Sequence, residues 1–331
     1  MNAPALVDSF GRRHNNLRIS VTDRCNLRCT YCMPEEAVFL PKDHLLTFEE
    51  IARFVQVAAS LGVDKIRLTG GEPLLRQDLP TLVRLLHAID GIADIGLTTN
   101  GLLLDRLAGP LYGAGLRRLN ISLDSLDGEQ FKVITRRDAL DKVLAGIAAA
   151  KAAGFKPIKL NAVALKGVGA EQVLRLARYC RDEGFELRFI EFMPLEADGI
   201  WDRSKVLTAD EILAILADAG MPAVPVPGDD PHAPAEEYEY SDGGGKLGII
   251  ASVSKPFCGT CNRLRLTAEG KLRNCLFSLD ELDARAIMRS GGDDAAIADL
   301  LQRSVAAKWA GHQINLPTFT RPERTMHAIG G

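Results

Sequence analysis

Three cysteines are clustered near the N-terminus, in the run Cys25-Asn26-Leu27-Arg28-Cys29-Thr30-Tyr31-Cys32, with the spacing C-x3-C-x2-C. No nearby fourth cysteine or histidine completes the closed tetrahedral site that structural zinc normally requires. A [4Fe-4S] cluster takes four ligands, so three protein thiolates leave one iron free for an exogenous molecule. The spacing therefore indicates an iron–sulfur cluster with an open iron, held on one short segment of the fold.

The residues on either side of this run, Arg18 to Arg24 before it and Met33-Pro34 after it, resemble those of the radical S-adenosylmethionine (SAM) enzymes. The resemblance implies that the amino and carboxylate groups of SAM bind the open iron. It also implies that an electron from the cluster cleaves the sulfonium and releases a 5′-deoxyadenosyl radical. In such enzymes the cofactor supplies the chemistry, and the protein positions and shields it.

The size and charge of the chain limit the remaining possibilities. At 331 residues it exceeds a typical single domain, so a barrel with an added module, or two domains, is expected. Its hydrophobic content of 47% and charged content of 25% argue against a disordered or fibrous protein. A net charge of −3 provides no overall field that would attract nucleic acid or a membrane, so we expect neither as a partner.

The N-terminal twenty residues lack the apolar core of a signal peptide. No apolar run approaches the roughly eighteen residues that a transmembrane helix needs. We therefore expect a cytoplasmic protein. In a reducing compartment, seven cysteines grouped in short motifs indicate metal ligands and not disulfides.

Short β-rich runs alternate with helical patterns from residue 17 to about 220, which indicates βα units on a parallel sheet. The predicted strands are residues 17–21, 65–69, 94–98, 117–122, 158–163 and 186–192. Six units are fewer than the eight of a closed barrel. We therefore predict an α/β fold, a partial (β/α)6 TIM-like barrel with an open side, over residues 1–221.

Two further regions follow the predicted barrel. Five prolines and the run Gly243-Gly244-Gly245 predict a linker or meandering loop over residues 222–245, without a core element. Residues 246–331 are predicted to form a smaller module with the other cysteine set and an extended tail. Helix ends are marked by capping boxes that begin at Thr47 and Thr208, and by glycines where left-handed C-caps are expected, namely Gly62, Gly154 and Gly184.

The motifs of the barrel follow the predicted strands, where the active sites of (β/α) barrels form. They are the first cysteine run, Gly70-Gly71-Glu72-Pro73, Thr98-Thr99-Asn100-Gly101, Ser122-Leu123-Asp124, Lys159 with Asn161, and Met193-Pro194. The resemblance to radical SAM enzymes assigns SAM contacts to Tyr31, Gly71, Ser122 and Met193. Taken alone, the two glycines are also compatible with a tight turn, and Met193 with a core residue.

A second set of three cysteines, Cys258, Cys261 and Cys275, has the spacing C-x2-C-x13-C. The candidates for a fourth ligand, Cys180, His232, His312 and His327, are distant in sequence. The set is compatible with a second [4Fe-4S] cluster with an open iron, or with a zinc site closed by one of these residues. Cys180 lies in a helical run and is predicted to be an ordinary buried thiol.

Both cysteine sets and the intervening motifs resemble the GTP 3′,8-cyclase family of molybdenum cofactor biosynthesis over nearly the whole chain. The matching stretches are residues 25–34, 65–73, 119–126, 159–163, 188–195 and 257–277, with the terminal Gly330-Gly331. The resemblance implies two [4Fe-4S] clusters, the second of which binds the guanine of GTP. It further implies that the adenosyl radical removes the ribose 3′ hydrogen, that the carbon radical attacks guanine C8, and that the product is (8S)-3′,8-cyclo-7,8-dihydroguanosine 5′-triphosphate.

Family resemblance also implies the partners of the reaction. They are GTP, an external electron donor, a downstream cyclic pyranopterin monophosphate synthase, and a second copy of the chain in a homodimer. The Gly-Gly tail has no side chains and fits a narrow cavity, and in the resembled family it enters the active site and is needed for cyclisation. One departure is Thr135-Arg136-Arg137, where the family has glycine in the middle; we predict a loop or a helix start there.

Cations beside the motifs predict where an anionic nucleotide binds. GTP carries roughly four negative charges, and one contact between unit charges at about 4 Å contributes on the order of 4 kcal/mol before desolvation. A net-acidic protein must therefore concentrate cations locally. The candidates are Arg18, Lys65, Arg67, Lys159, Arg263 and Arg265, the last two on one face of a strand.

The family resemblance assigns roles to these cations and their neighbours. It assigns GTP contacts to Arg18, Arg67, Thr98, Lys159, Arg263, the backbone of Leu264, and Arg265. It assigns catalytic support to Lys65, Gly330 and Gly331.

Two other hypotheses remain open at the level of the sequence. The chain could be a different radical SAM enzyme with an auxiliary cluster, such as a peptide modifier, which would need a peptide groove. It could also be a non-catalytic metal-binding or carrier protein that uses its Gly-Gly end.

Overall fold

The computed structural model describes residues 5–330, and six strand–helix units begin the chain. The strands are β1 (Asn16–Ser20), β2 (Lys65–Thr69), β3 (Asp94–Thr99), β4 (Arg118–Ser122), β5 (Ile158–Ala164) and β6 (Glu186–Glu191). The helices are α1 (Phe48–Ser60), α2 (Leu79–His87), α3 (Leu104–Gly113), α4 (Gly128–Thr135), α5 (Leu140–Ala152), α6 (Ala170–Glu183) and α7 (Ala209–Asp218). All six predicted strands are confirmed, each end to within one residue.

The rest of the described chain is also built of strands and helices. Its strands are β7 (Ala223–Val226), β8 (Glu236–Tyr240), β9 (Lys246–Ile250), β10 (Arg263–Leu266), β11 (Lys271–Arg273) and β12 (Leu282–Asp283). Its helices are α8 (Ala284–Arg289), α9 (Asp294–Ala306) and α10 (Met326–Ile329). Within residues 5–330 no helix combines the length and the apolarity that crossing a bilayer requires.

All these strands form one sheet in the order β12-β11-β10-β1-β2-β3-β4-β5-β6-β9-β8-β7. Every neighbouring pair from β10 to β9 is parallel, so β10 and β9 extend the six predicted strands, one at each edge. The strand order is linear and does not close on itself. The predicted partial barrel with an open side is therefore confirmed, and the C-terminal region adds a parallel strand to each of its edges.

The predicted linker, residues 222–245, contains β7 and β8, so the expectation that it lacks a core element is wrong. Tyr238 and Tyr240 on β8 are buried in the main hydrophobic core. The prolines that suggested a linker are accommodated because β7, which contains Pro225, is the last strand of the sheet and pairs only with β8. The division into a barrel, a linker and a C-terminal module stays a prediction.

The strands of the barrel have one apolar and one polar face. In β1, Leu17 and Ile19 are fully buried in the core that also contains the inner residues of the helices. Alternate residues of a strand point to opposite sides, so Asn16 and Arg18 face the lumen of the barrel. The same alternation in the neighbouring strands gives the lumen a polar lining.

The predicted helix ends are confirmed. Thr47 and Thr208 both form complete capping boxes with the glutamate three residues later. Gly62, Gly154 and Gly184 all have positive φ, of 93°, 93° and 72°. Capping boxes and C-cap glycines can be predicted from the sequence because they depend only on residues a few positions apart.

Arg136 lies in the loop between α4 and α5, directly after the last residue of α4, so the predicted loop at this position is confirmed. It is the C-cap of α4, with φ 56° and ψ 23°, a left-handed conformation that glycine adopts without penalty. Its guanidinium forms an ion pair with Asp198 at 2.9 Å and lies 3.8 Å from Glu35. These half-exposed contacts offset part of the backbone strain.

We expect Arg136→Gly to raise the free energy of unfolding by about 0.5–1 kcal/mol. A left-handed backbone costs an L-residue roughly 1–2 kcal/mol, and the lost ion pairs return at most about 1 kcal/mol of this. Thermal unfolding of protein with equal iron loading measures the effect. The matched control is Arg137→Gly, which removes a similar ion pair to Glu35 at a residue without positive φ and should lower stability. A loss of stability in both variants would contradict the prediction.

Candidate active site

The first cysteine set lies on the loop that follows β1. Cys25, Cys29 and Cys32 are half-buried, and no cysteine in residues 5–330 forms a disulfide. The Leu27 amide donates to the Cys25 sulfur at 3.4 Å, and the Asn100 side-chain amide lies 3.8 Å from the same sulfur. Burial raises the pKa of Cys25 to about 11 and that of Cys32 to about 12, so a bound cation is needed to keep the thiolates ionised. Soft sulfur donors on a partly enclosed loop fit an iron–sulfur cluster.

The end of α4 holds this loop in place. The carbonyl of Thr135 accepts from the Arg28 amide at 2.9 Å, and that of Ile134 accepts from the Thr30 amide at 3.0 Å. The last carbonyls of a helix have no partner within the helix, so they are free to bind a neighbouring segment. The left-handed Arg136 therefore ends α4 where its carbonyls reach the cysteine loop.

Gly70 and Gly71 bring the loop after β2 against the backbone that leads into the cysteines. The Gly71 amide donates to the Thr22 carbonyl at 2.7 Å. A Cβ atom would lie 2.5 Å from the Thr22 oxygen at Gly70, and 2.3 Å from the Arg24 oxygen at Gly71. Both positions therefore require glycine, because two backbones meet there without room for a side chain. The predicted contact of Gly71 with SAM stays a prediction.

Glu72 joins the loops after β2 and β3. Its buried carboxylate accepts from the Thr99 hydroxyl and the Asn100 amide, both at 2.7 Å. Burial raises the pKa of Glu72 to about 7, although its hydrogen bonds act in the opposite direction. Asn100 in turn donates to Asn26 at 2.8 Å, so Glu72 positions the residue that lies beside the first cysteine.

Tyr31 and Asp124 link the cysteine loop to the end of β4. The Tyr31 hydroxyl donates to Asp124 at 2.6 Å, and the second carboxylate oxygen of Asp124 accepts from the Val163 amide at 2.8 Å. Burial raises the pKa of Asp124 to about 6. Asp124 was not a predicted site residue; its place after β4, in the run Ser122-Leu123-Asp124, was the available signal.

The predicted SAM residues come together at the strand ends only in part. Tyr31 and Met193 pack against one hydrophobic cluster, which also contacts Cys275 and includes Ile329. Ser122 ends β4 and is opposite Asn161 of β5. The contacts of these residues with SAM stay predictions.

The second cysteine set lies at the opposite end of the lumen from the first. Cys258 and Cys261 lie just before β10, whereas the first set follows β1, and β10 is parallel to β1. Cys275 follows β11, which is antiparallel to β10 and therefore ends beside the start of β10. The two cysteine sets thus face each other along the barrel, with the polar lining of β1, β2 and β10 between them.

No group of three or more His, Cys, Asp or Glu side chains among the described residues is arranged around a single metal ion. Tetrahedral zinc needs four donors within about 2.3 Å of one centre. A [4Fe-4S] cluster instead binds each thiolate through a different iron, so its donors do not converge on one point. The three thiolates of each cysteine set are the donors that such a cluster takes.

The predicted cations cluster in the lumen. Strand register places Arg265, Arg18 and Arg67 side by side on β10, β1 and β2. Arg263 lies two residues before Arg265 in β10 and is therefore on the same face of the strand. The Nε atom of Arg18 and the Nη1 atom of Arg67 are buried and have no hydrogen-bond partner in residues 5–330. Unpaired buried donors are uncommon in proteins, and these two are free to bind an acceptor in the lumen.

Mutual repulsion among these guanidinium groups supports the same conclusion. Burial, followed by the charges of Arg265, Arg263 and Arg67, lowers the pKa of Arg18 well below its usual value. Burial and neighbouring cations also lower the pKa values of Arg67 and Arg265 to about 10. A bound anion would relieve this repulsion. The role of these arginines as an anion site stays a prediction.

The two lysines among the predicted cations are paired with carboxylates. Lys65 binds Asp230 at 2.7 Å, and Lys159 binds Glu186 at 2.7 Å. Thr98 lies in β3, half-buried, opposite Asn120. The Leu264 side chain is fully buried, and its backbone lies in the ladder with β1. Contacts of these residues with a nucleotide stay predictions.

The C-terminal tail reaches the ends of β1 and β2. Gly330 has φ 83°, and its carbonyl accepts from Arg265 at 2.6 Å. A Cβ atom on Gly330 would lie 2.8 Å from the Thr69 hydroxyl and 2.9 Å from the Ser20 Cβ. The close approach therefore requires glycine. Gly331 lies outside the described residues.

Sequence reasoning missed Arg188 on β6. Its buried guanidinium binds Glu186 at 2.7 Å and lies opposite Gly248 of β9. A Cβ atom at Gly248 would lie 3.2 Å from the Arg188 Cγ, so glycine leaves room for the arginine. The alternation of polar and apolar residues in β6 was the signal that could have identified it.

Two family descriptions match the chain. "Radical SAM superfamily" covers residues 19–180, and "Molybdenum Cofactor Synthesis C" covers residues 185–314. Among the similar curated proteins, GTP 3′,8-cyclase of Rhodopirellula baltica is 51% identical, over 99% of this chain and 92% of that protein. GTP 3′,8-cyclase 2 of Mycobacterium tuberculosis is 49% identical, over 98% of this chain and 92% of that protein.

Solved structures with a similar fold include the SuiB protein of Streptococcus suis bound to S-adenosylmethionine. It has a TM-score of 0.62 and 15% identity, and the match covers 94% of this chain and 76% of that one. The protein anSMEcpe with bound AdoMet also has a TM-score of 0.62, with 18% identity and coverage of 90% and 79%. At these identities the likeness is one of fold.

Proposed function

This chain belongs to the GTP 3′,8-cyclase family of radical SAM enzymes, and we propose from that membership that it joins ribose C3′ to guanine C8 of GTP. The product is (8S)-3′,8-cyclo-7,8-dihydroguanosine 5′-triphosphate, and the reaction is the first step of molybdenum cofactor biosynthesis. The observation that best supports the proposal is the row of incompletely paired arginines between two opposed cysteine sets.

The cofactors are two [4Fe-4S] clusters and SAM. Cys25, Cys29 and Cys32 would hold the first cluster with SAM, and Cys258, Cys261 and Cys275 the second with the substrate. Bound there, the first cluster and SAM would supply the 5′-deoxyadenosyl radical chemistry that the family uses on the ribose 3′ hydrogen. Tyr31, Gly71, Ser122 and Met193 would contact SAM, and the hydrogen bond from Tyr31 to Asp124 supports this by fixing the ring beside the strand ends.

The arginines of the lumen would bind the triphosphate. Arg265 is buried, and Arg18 and Arg67 are half-buried. Each is repelled by neighbouring cations and would be stabilised by a polyanion. Arg263, Lys159, Thr98 and the Leu264 backbone complete the proposed GTP contacts. The second cysteine set lies at the N-terminal ends of the strands, and the first set, where SAM would bind, lies at their C-terminal ends. A GTP with its guanine at the second set and its ribose near SAM would therefore lie along the lumen.

Two features would exclude water from the lumen. The loop between β7 and β8 reaches the N-terminal ends of β2 and β10, where Asp230 binds Lys65 and the His232 carbonyl accepts from Arg263 at 3.2 Å. At the other end Gly330 lies against Ser20 and Thr69. Lys65 and Gly330 are therefore proposed to support catalysis by closing the site. Gly331 is proposed to support catalysis from the family alone.

An external electron donor and a downstream cyclic pyranopterin monophosphate synthase are proposed as partners, because the reaction needs an electron and yields an intermediate. A cytoplasmic location is proposed as well. It is supported by seven cysteines that form no disulfide in the described chain, as expected in a reducing compartment. A homodimer is proposed from the family alone, and analytical ultracentrifugation tests it.

Anaerobic reconstitution with iron and sulfide tests the proposed function. We expect about eight irons and eight sulfides per chain, cleavage of SAM, and a cyclised product that requires GTP. A rate of SAM cleavage that does not depend on GTP would favour a peptide-modifying enzyme. Bound zinc without cleavage of SAM would favour a carrier protein.

We expect Arg265→Ala to weaken GTP binding about ten- to a hundredfold, or roughly 1.5–3 kcal/mol, as for a hydrogen bond to a charged group. The variant also removes the donor to the Gly330 carbonyl, so turnover should fall. Isothermal titration calorimetry of reconstituted protein measures the affinity. Arg106→Ala on the exposed surface of α3 is the matched control and should leave affinity unchanged. Unchanged affinity and turnover in Arg265→Ala would contradict the assignment.

A further inference from the structure

The segment that follows α9, residues 308–311, binds all three parts of the chain that contain the second cysteine set. Lys308 donates to the carbonyls of Arg263 and Asn274, near Cys261 and Cys275. Gly311 lies against Cys258, and Arg12 binds the carbonyls of Trp309, Ala310 and Cys258 together. A Cβ atom on Gly311 would lie 3.2 Å from the Cys258 Cβ and 3.6 Å from its sulfur. The second cysteine set is thus assembled on this segment.

Lys308 is a buried cation, 5% exposed, and among the described residues its ammonium group binds two backbone carbonyls. It donates to the Arg263 carbonyl at 2.9 Å and to the Asn274 carbonyl. Arg263 is the first residue of β10, two residues after Cys261, and Asn274 directly precedes Cys275. One side chain therefore fixes the distance between the two segments that present these cysteines.

Arg12 holds the third segment in the same way. Its guanidinium donates to the carbonyls of Cys258 and Ala310, both at 2.7 Å, and to that of Trp309 at 2.5 Å. Asp8 binds the Arg12 Nε at 2.6 Å. Arg12 thereby ties the N-terminal segment to both Cys258 and the segment after α9.

The two buried cations differ in their counter-charge. The charge of Arg12 is offset by the carboxylate of Asp8. No carboxylate within residues 5–330 forms an ion pair with Lys308, and the two carbonyls that it binds belong to Arg263, two residues after Cys261, and Asn274, the residue before Cys275. A buried cation without a partner is unfavourable, so its presence here calls for a negative group at the second cysteine set.

We propose that Lys308 is a positioning residue for the second cluster, which offsets the negative charge of the cluster and its thiolates and fixes the segments that contain Cys261 and Cys275. This inference rests on the proposed function, because it requires a cluster at the second cysteine set. Reduction adds negative charge to a cluster, and a nearby fixed cation stabilises the reduced state. Removing the charge of Lys308 should therefore make the second cluster harder to reduce.

A redox titration of the reconstituted, full-length holoenzyme, followed by electron paramagnetic resonance, tests the proposal. The signal that GTP alters reports the second cluster, and the signal that SAM alters reports the first. We compare Lys308→Gln, which removes the charge and keeps a donor, with Lys308→Arg, which keeps the charge. Lys142→Gln on the exposed surface of α5 is the control for the loss of a lysine.

We expect Lys308→Gln to shift the midpoint of the GTP-sensitive signal to a more negative potential, with the SAM-sensitive signal unchanged. Lys308→Arg and Lys142→Gln should keep the parent midpoint. If Lys308→Gln loses the second cluster and Lys308→Arg retains it, the charge is required and the proposal is supported. Loss from both Lys308 variants would assign the effect to packing and overturn the role of the charge.

Two further outcomes separate this inference from the proposed function. If Lys308→Gln retains the second cluster and its GTP-sensitive signal has the same midpoint potential as in the parent protein, the inference is overturned. The proposed function would remain intact. The absence of any GTP-sensitive cluster in the parent protein would overturn both.

Discussion

Cys25→Ala should lower the rate of SAM cleavage by at least about a thousandfold. Enzymes accelerate their reactions by roughly a millionfold or more, and most of that acceleration should be lost without the first cluster. The first cysteine set has three thiolates and the family uses the fourth iron for SAM, so no spare ligand replaces the lost sulfur. The loop is built around this sulfur: the Leu27 amide donates to it at 3.4 Å, and Asn100 is held beside it by Glu72. Anaerobic assays of 5′-deoxyadenosine release measure the effect.

Cys180→Ala is the matched control for this prediction. Cys180 is buried in α6, and burial raises the pKa of its thiol to about 12, so it remains a neutral packing group. Its replacement should reduce stability slightly and leave SAM cleavage at the parent rate. Retained cleavage in Cys25→Ala would argue against the first cluster, and lost cleavage in Cys180→Ala would show that the assay responds to folding.

Cys258→Ala should reduce formation of the cyclised nucleotide by up to about a hundredfold, while SAM cleavage continues without coupling to GTP. Loss of one short interaction with a charged ligand costs up to about 3 kcal/mol, which corresponds to this factor. The two effects separate because the second cysteine set lies at the opposite end of the lumen from the first. Iron content should fall from about eight to about four per chain.

The comparison of Cys25→Ala with Cys258→Ala makes this prediction specific. The first variant should lose both SAM cleavage and cyclisation, and the second only cyclisation. A global folding defect would reduce both activities equally in Cys258→Ala. Full cyclisation by Cys258→Ala would contradict the proposed role of the second cluster in holding the substrate.

The strands and helix ends of the barrel were predictable because their signals are local. Alternation of apolar and polar residues located six strands to within one residue, and the capping boxes at Thr47 and Thr208 were visible as four-residue patterns. The same reasoning failed for β7 and β8, since prolines break a central strand and are tolerated at a sheet edge. Edge position depends on the arrangement of the whole sheet and leaves no local signal.

The candidate site was predicted as a set of residues and not as an arrangement. The lumen arginines were predicted because they lie beside the cysteine and loop motifs. The pairing of Lys65 with Asp230 was not predicted, since Asp230 lay in the supposed linker. Lys308 was also missed, because a lysine two residues after a helix resembles any solvated lysine. Only its burial and its bonds to two distant carbonyls distinguish it.

The sequence by itself determined the chemistry of this protein: two sets of three thiolates, cations on alternate strand positions, and glycines where backbones meet. These features follow from residue type and spacing, which act over a few residues. The tertiary structure decided that Arg265 lies beside Arg18, that the cysteine sets face each other along the lumen, and that the tail lies between Ser20 and Thr69. These relations depend on the parallel pairing of β10 with β1, which is set by burial and register across the whole chain.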